Sequence, residues 1–192
     1  DSGGVALDTA FTLSATGPVN RSGIEGAPAV TNTNVDAGTY ALTESSLAGY
    51  TGGAWSCVGG TLTGSSLVLT QAENASCTVT NDDQPSTLTL LKTTVNDNGG
   101  TNVDTDFTLT ATGSVTITGI EGAAAVTNAA VSAGTYLLTE SGAATANYTQ
   151  GAWSCTAGTL TGNSLVLANG QSASCTITNN DRPRLTLLKT VI

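Results

Sequence analysis

Leu88-Thr-Leu-Leu-Lys92-Thr-Thr-Val95 returns near the end of the chain as Leu185-Thr-Leu-Leu-Lys189-Thr-Val-Ile192. Both stretches alternate apolar and polar residues with a period of two, the signature of a strand with one buried face. The first stretch opens the second of two sequence repeats, whereas the first repeat has no such opening and the second copy trails behind the array. Two readings fit this offset. Either head-to-tail subunits each lend a last strand to the first repeat of the next, or the chain is a fragment of a longer repeat protein cut out of phase.

The repeat continues through nearly the whole chain. Phe11-Thr-Leu-Ser-Ala-Thr-Gly17 matches Phe107-Thr-Leu-Thr-Ala-Thr-Gly113, and Gly38-Thr-Tyr-Ala-Leu-Thr-Glu44 matches Gly134-Thr-Tyr-Leu-Leu-Thr-Glu140. Likewise Ala54-Trp-Ser-Cys57 matches Ala152-Trp-Ser-Cys155, and Cys77-Thr-Val-Thr-Asn81 matches Cys175-Thr-Ile-Thr-Asn179. A chain of 192 residues thus divides into repeat 1 over 1–83, lacking its first strand, repeat 2 over 84–181, and a linker with a donor strand over 182–192. Asn81-Asp-Asp-Gln-Pro85 and Asn179-Asn-Asp-Arg-Pro183 read as short joints stiffened by proline, suited to a semi-rigid rod of domains.

Alternation at 87–95, 105–112, 114–118, 124–131, 134–140, 147–155, 158–167 and 172–180, with Gly and Asn between, predicts strands in repeat 2 and their equivalents in repeat 1. The fold class is all-β, one immunoglobulin-like sandwich per repeat.

Composition excludes several functions. A net charge of −9 with only five Lys and Arg leaves no surface able to neutralise a phosphate backbone, so nucleic acid is not the expected partner. No stretch has the roughly 20 apolar residues of a membrane-spanning helix, and none reads as a signal peptide, so such segments are expected to have been removed or to lie outside this stretch. With no His, no Ser or Cys nucleophile beside a base and no nucleotide loop, an enzyme with turnover is not expected, nor is any cofactor. Gly59-Gly60 and Gly99-Gly100 read as turns.

The four cysteines are spaced identically in the two repeats. Without His or a CxxC pair they read as disulfides, Cys57 with Cys77 and Cys155 with Cys175, rather than as zinc ligands. Disulfides place the protein in an oxidising compartment such as the periplasm, cell surface or medium. Trp55 and Trp153, each two residues before a Cys, are expected to pack on them.

Strand parity carries the chemistry. Leu88, Leu90 and Lys92 share a face, as do Leu185, Leu187, Lys189 and Val191. Tyr136, Leu138 and Glu140 share one, matched by Tyr40, Leu42 and Glu44. Cys175, Ile177 and Asn179 share one, matched by Cys77, Val79 and Asn81. One Lys, one Glu and one Asn therefore point inward with the apolar residues, and isolated buried charges are too costly to stand alone. Only two lysines occur, both at the same strand position. A desolvated amine facing a carboxamide beside a carboxyl group is arranged for attack on the amide carbonyl, with Glu44 or Glu140 relaying protons and ammonia leaving. The competing reading is a satisfied polar cluster, or a lysine facing solvent as an edge-strand gatekeeper.

Lys on the first strand, Gly-x-Tyr-x-x-x-Glu in the middle and Val-x-Asn on the last strand resemble the CnaB-type, SpaA-like prealbumin-fold domains of bacterial surface proteins and pilins. The Gly49-Tyr50 pair after the Glu motif belongs to the resemblance, and repeat 2 departs from it with Asn147-Tyr148. The resemblance implies a stalk or fibre on the bacterial cell surface and, in many members, an intramolecular Lys–Asn isopeptide bond promoted by Glu. By position that bond joins Lys92 to Asn179 beside Glu140. Repeat 1 keeps Glu44 and Asn81 but lacks the lysine, so its complement is expected from Lys189 of an identical subunit, head to tail. The alternatives are a spacer in a long single-chain adhesin, or a calcium- or carbohydrate-binding surface module. For calcium the candidates are Asp82-Asp83, Asp97 and Asp104-x-Asp106, whose incomplete ligand spacing favours turn chemistry. No metal site is expected.

Overall fold

The computed structural model describes residues 2–183 and 185–190, and the chain divides into two compact units, one over Gly3–Gln84 and one beginning at Pro85. The described residues form two tandem units built of β-strands, with short 3-10 turns between some of them.

In the second unit the strands are β10 (Ser86–Val95), β11 (Thr108–Thr112), β12 (Ile117–Gly119), β13 (Ala129–Val131), β14 (Gly134–Ser141), β15 (Tyr148–Cys155), β16 (Thr159–Thr161), β17 (Ser164–Leu167) and β18 (Ser172–Asp181). One sheet has the order β13-β10-β18-β15 and the other β12-β11-β14-β17-β16. Strand β10 lies between two neighbours, antiparallel to β13 and parallel to β18 from Thr87↔Ser172 to Val95↔Asn180. Parity holds along it: Ser86, Leu88, Leu90 and Lys92 are buried, while the residues between them are partly accessible. These side chains close the core against Ala173, Cys175 and Ile177 of β18 and Leu109, Tyr136, Leu138 and Leu165 of the opposite sheet.

The first unit follows the same order without counterparts of β10 and β13, and with those of β15 and β18 each broken in two: β1 (Thr12–Thr16), β2 (Arg21–Ile24), β3 (Gly38–Glu44), β4 (Tyr50–Gly52), β5 (Ser56–Val58), β6 (Thr61–Thr63), β7 (Ser66–Leu69), β8 (Ser76–Thr78) and β9 (Asn81–Asp83). Its complete sheet, β2-β1-β3-β7-β6, copies the second sheet of its neighbour. The other sheet is reduced to two ribbons, β4-β9 and β5-β8. The equivalent residues in the second unit form the continuous strands β15 and β18, so the interruption follows from the missing central strand, whose backbone would have paired along the whole edge. The core shrinks with it. Only Tyr40, Leu42 and Leu67 form its buried cluster, and Leu13, Leu69 and Trp55, whose counterparts are buried in the second unit, are partly open.

The structure corrects the sequence reading in several places. The stretch 124–131 is a 3-10 turn (Ala124–Val126) followed by β13, and 158–167 is a hairpin of β16 and β17 rather than one strand. Residues 104–106 form a 3-10 turn before β11, and β12 starts at Ile117 rather than 114. The Asn-Asp joints are not linkers: Asn81–Asp83 is β9, paired to Tyr50–Gly52, and Asn179–Asp181 ends β18. Leu185 to Thr190 form no strand in the single chain and are exposed, Leu185 and Leu187 each at 84%. Val191, also expected in the donor strand, and Ile192 lie outside the described residues, as does Asp1.

Both disulfides form, Cys57–Cys77 and Cys155–Cys175. Each links directly opposed residues of neighbouring antiparallel strands. Trp153 joins the buried cluster that Cys155 and Cys175 belong to, and Trp55 packs with Cys57 and Cys77 in the first unit. The register of β15 shifts between Gln150 and Trp153. Gly151 stands at this bulge because a Cβ there would come within 2.6 Å of the Thr178 carbonyl oxygen.

Candidate functional site

Three strands bring Lys92, Glu140 and Asn179 together inside the second unit. Lys92 follows Leu88 and Leu90 on the inner face of β10, Glu140 follows Tyr136 and Leu138 on β14, and Asn179 follows Cys175 and Ile177 on β18. The Lys92 Nζ lies 3.0 Å from Glu140 Oε1, with both side chains wholly inaccessible. Asn179 is fully buried and donates from Nδ2 to Glu140 Oε2 at 2.8 Å and to Oε1 at 3.0 Å. Its Oδ1 is buried with no hydrogen-bond partner. The amide nitrogen is thus turned toward the carboxyl group, and the carbonyl oxygen is left without a donor, a costly state for a buried acceptor.

Below the amine lies Phe107, whose ring centroid is 4.4 Å from Nζ. Phe107 is fully buried and meets Tyr148 edge to face with centroids 5.5 Å apart. The Tyr148 hydroxyl donates to Asn96 Oδ1 at 2.6 Å and accepts from the Asn102 amide at 3.1 Å. Asp181 completes this clasp, accepting from the amides of Asn98 and Gly100 at 3.0 and 2.6 Å. The loop from β10 to β11 is therefore tied down beside the lysine and closes the aromatic floor under it.

Burial pushes the Lys92 pKa below its ordinary value, against the opposing pull of Glu140, which hydrogen-bonds and attracts the charged form. For Asp181, burial works to raise the pKa, but the hydrogen bonds from Gly100 and Asn98 outweigh it and hold the carboxyl below its ordinary value.

The first unit keeps two members of the constellation. Asn81 Nδ2 donates to Glu44 Oε1 at 2.8 Å, the same pairing as Asn179 with Glu140. Phe11 stacks edge-on against Tyr50 with centroids 5.7 Å apart, and Asp83 and Tyr50 accept from the amides of Gly4 and Ala6 at 2.7 and 2.9 Å. The apolar core of this unit is open as a cleft of about 620 Å³ lined by Leu13, Val30, Val35, Leu42, Trp55 and Cys77 among others, whose counterparts in the second unit pack in one core with Leu88 and Leu90 of β10. Lys189, on the tail, is exposed.

Three of the acidic residues weighed for calcium serve loop backbone and loop side chains. Asp106 accepts from the Val103 amide at 2.9 Å, Asp83 from Gly4, and Asp97 from Asn98 Nδ2 at 2.6 Å. Among the described residues no group of His, Cys, Asp and Glu is placed to hold a metal ion, and no helix is long and apolar enough to cross a membrane.

The clasp of Asp181 and Tyr148 was not foreseen from the sequence. Its signal was available in the recurrence of Gly-Gly at Gly3-Gly4 and Gly99-Gly100, each a fixed distance before Phe11 and Phe107. A Cβ on Gly100 would lie 2.5 Å from the Tyr148 hydroxyl and 2.8 Å from Asp181 Cβ, so only glycine lets the loop enter.

An all-β chain of two sandwiches, each with an inward Glu and Asn, defines a class of repeat modules, and comparison with known families agrees. The family described as "Prealbumin-like fold domain" matches residues 1–79 and again 83–177. The chain belongs to this family. No curated protein and no solved structure gives a significant match.

Proposed function

We propose that this chain is a structural module of an extracellular bacterial filament or adhesin stalk, in which each subunit completes the first repeat of the next. The observation that carries the reading is the open core of the first unit, a cleft lined by Leu13, Leu42 and Cys77, together with the Glu44–Asn81 pair that has no lysine beside it in its own repeat. The exposed segment Leu185–Thr190 repeats the sequence that fills this place in the second unit. Docked as β10 is docked, Leu185 and Leu187 would bury their side chains and Lys189 would face Glu44 and Asn81. Full burial of a leucine stabilises by roughly 1.5–3 kcal/mol, so burying both favours association alongside the backbone pairing. A contact between unlike faces does not close on itself and extends into a filament.

Covalent closure follows from the same geometry. Transfer of a proton from the Lys92 ammonium to Glu140 across their 3.0 Å contact would supply the neutral amine that the attack requires. The amine attacks Asn179 Cγ. The Nζ–Cγ bond forms, the Cγ–Nδ2 bond breaks, and Glu140 passes a proton from Nζ to the departing Nδ2, so that ammonia leaves and an amide cross-link remains. The orientation of Asn179, with Nδ2 on the carboxyl group, suits this transfer. The reaction occurs once per site, without turnover, and needs no cofactor. Between subunits Lys189, Glu44 and Asn81 take the same roles. The disulfides suit an oxidising location at the cell surface.

Intact mass after boiling and reduction tests both bonds. A subunit lighter by one ammonia marks the internal bond, and a ladder of multiples marks the link between subunits. Lys189→Ala removes the ladder and leaves the internal loss. An unshifted monomer from assembled material refutes the covalent chemistry.

A further inference from the structure

In the second unit β10 is not an edge strand. It is held on one side by β18 and on the other by β13, where Ser86↔Val131 and Leu88↔Ala129 are opposed. The counterparts of Ala129 and Val131 in the first unit are Thr33 and Val35, which belong to no strand. Val35 is 37% exposed where Val131 is 2%, and Val30 is partly open where Val126 is fully buried. Both valines line the cleft, yet the segment does not close over it. Arg21 holds it nearby: its Nη2 donates to the Asn34 carbonyl at 2.7 Å, from the strand position that Ile117 occupies in the second unit.

We infer that the first unit takes the incoming strand into a slot between two edges, Ala75–Asn81 on one side and Thr33–Val35 on the other, and that the second edge becomes a strand only on docking. This rests on the reading that Leu185–Thr190 of a second copy is the occupant. That occupant is chosen because its Leu-x-Leu-x-Lys pattern is the one already seated between the homologous edges. The register follows β10: Leu185 opposite Ala75 and Thr33, Leu187 opposite Cys77, and Lys189 opposite Val79, which places its side chain toward Asn81 and Glu44. Pairing on two sides satisfies the backbone of the guest in both directions, where addition to an edge leaves half of it facing water. It also joins β8 with β9 and β4 with β5 into long strands like β18 and β15. The guest is enclosed, so Thr33–Val35 must part before it can leave, and release is slow even without a covalent bond.

Hydrogen exchange on the full chain distinguishes a slot from an edge. The acceptor carries Leu185→Asp and Leu187→Asp so that its own tail cannot dock, and the probe is a synthetic peptide of residues 182–192 with Lys189→Met so that no bond forms. The slot predicts that peptide slows exchange roughly tenfold or more at Thr33–Val35 as well as at 75–81. It further predicts that Val35→Asp in the acceptor weakens peptide binding roughly tenfold or more. Protection at 75–81 alone, with binding indifferent to Val35→Asp, overturns the slot and leaves strand complementation standing. Protection at neither segment overturns both.

Discussion

Replacing Glu140 by Gln leaves Lys92 in an inaccessible site without its counterion, and the cost can be bounded from the structure. The amine can escape charge burial by losing its proton. From an ordinary value of 10.5 this costs three and a half pH units at pH 7, about 5 kcal/mol at about 1.4 kcal/mol per unit. The reference is the double variant Lys92→Met with Glu140→Gln, which has a neutral pair in the same space. Neither protein can form the promoted cross-link, so the comparison is free of it. Glu140→Gln is therefore expected to be less stable than the double variant by about 3–5 kcal/mol at pH 7. The sign with pH follows from linkage. The folded pKa of the lone lysine lies below its unfolded value, so the unfolded state binds more protons between the two, and stability rises with pH across that window. The gap should shrink by about 1.4 kcal/mol per unit as pH rises toward 10.5, to about 1–2 kcal/mol near pH 9.5. Urea unfolding followed by Trp153 fluorescence measures it, with Trp55→Phe silencing the other unit. A gap that does not change with pH refutes the reasoning, because it means that the lysine has swung out to water.

The remaining expectations concern the supports of this site. Replacing Cys155 and Cys175 together by Ala opens a loop of sequence separation 20 and should lower the stability of the second unit by about 3 kcal/mol in urea. Gly151→Ala drives a Cβ to 2.6 Å from the Thr178 carbonyl oxygen and should cost roughly 1–3 kcal/mol, read as a lower midpoint in the same titration. Asp181→Asn weakens the grip on Asn98 and Gly100, so their amides should exchange faster. Because the folded pKa of Asp181 is depressed, its contribution is complete above the ordinary value of 3.8 and is lost as pH falls through the folded value. Protection of these amides should follow that fall in the parent and be flat with pH in the variant.

Much of this architecture was legible because a period of two is hard to disguise. Tyr136, Leu138 and Glu140, and Cys175, Ile177 and Asn179, fall on one face by counting alone, and the burial pattern of β14 and β18 follows it. The meeting of Lys92, Glu140 and Asn179 was legible for a further reason: buried charges must find each other. What escaped were features fixed by pairing rather than pattern. Thr33–Val35 and Ala129–Val131 are similarly short stretches, yet only the second is a strand, because only it has β10 beside it. The clasp of Asp181 with the Gly99-Gly100 loop joins residues some eighty positions apart through backbone amides, which carry no side-chain signature.

The parallel pairing of β10 with β18 has a consequence under tension. The chain enters the second unit at the start of β10 and leaves at the end of β18, and these two strands run side by side in one direction over nine opposed residue pairs. A pull on the two ends slides one strand along the other, so the hydrogen bonds between them are loaded together in shear instead of opening one by one from an end. Lys92 and Asn179 lie on those same two strands, and an amide between them would pass the load directly from entry to exit. The rest of the sandwich could then stay folded while the force runs past it.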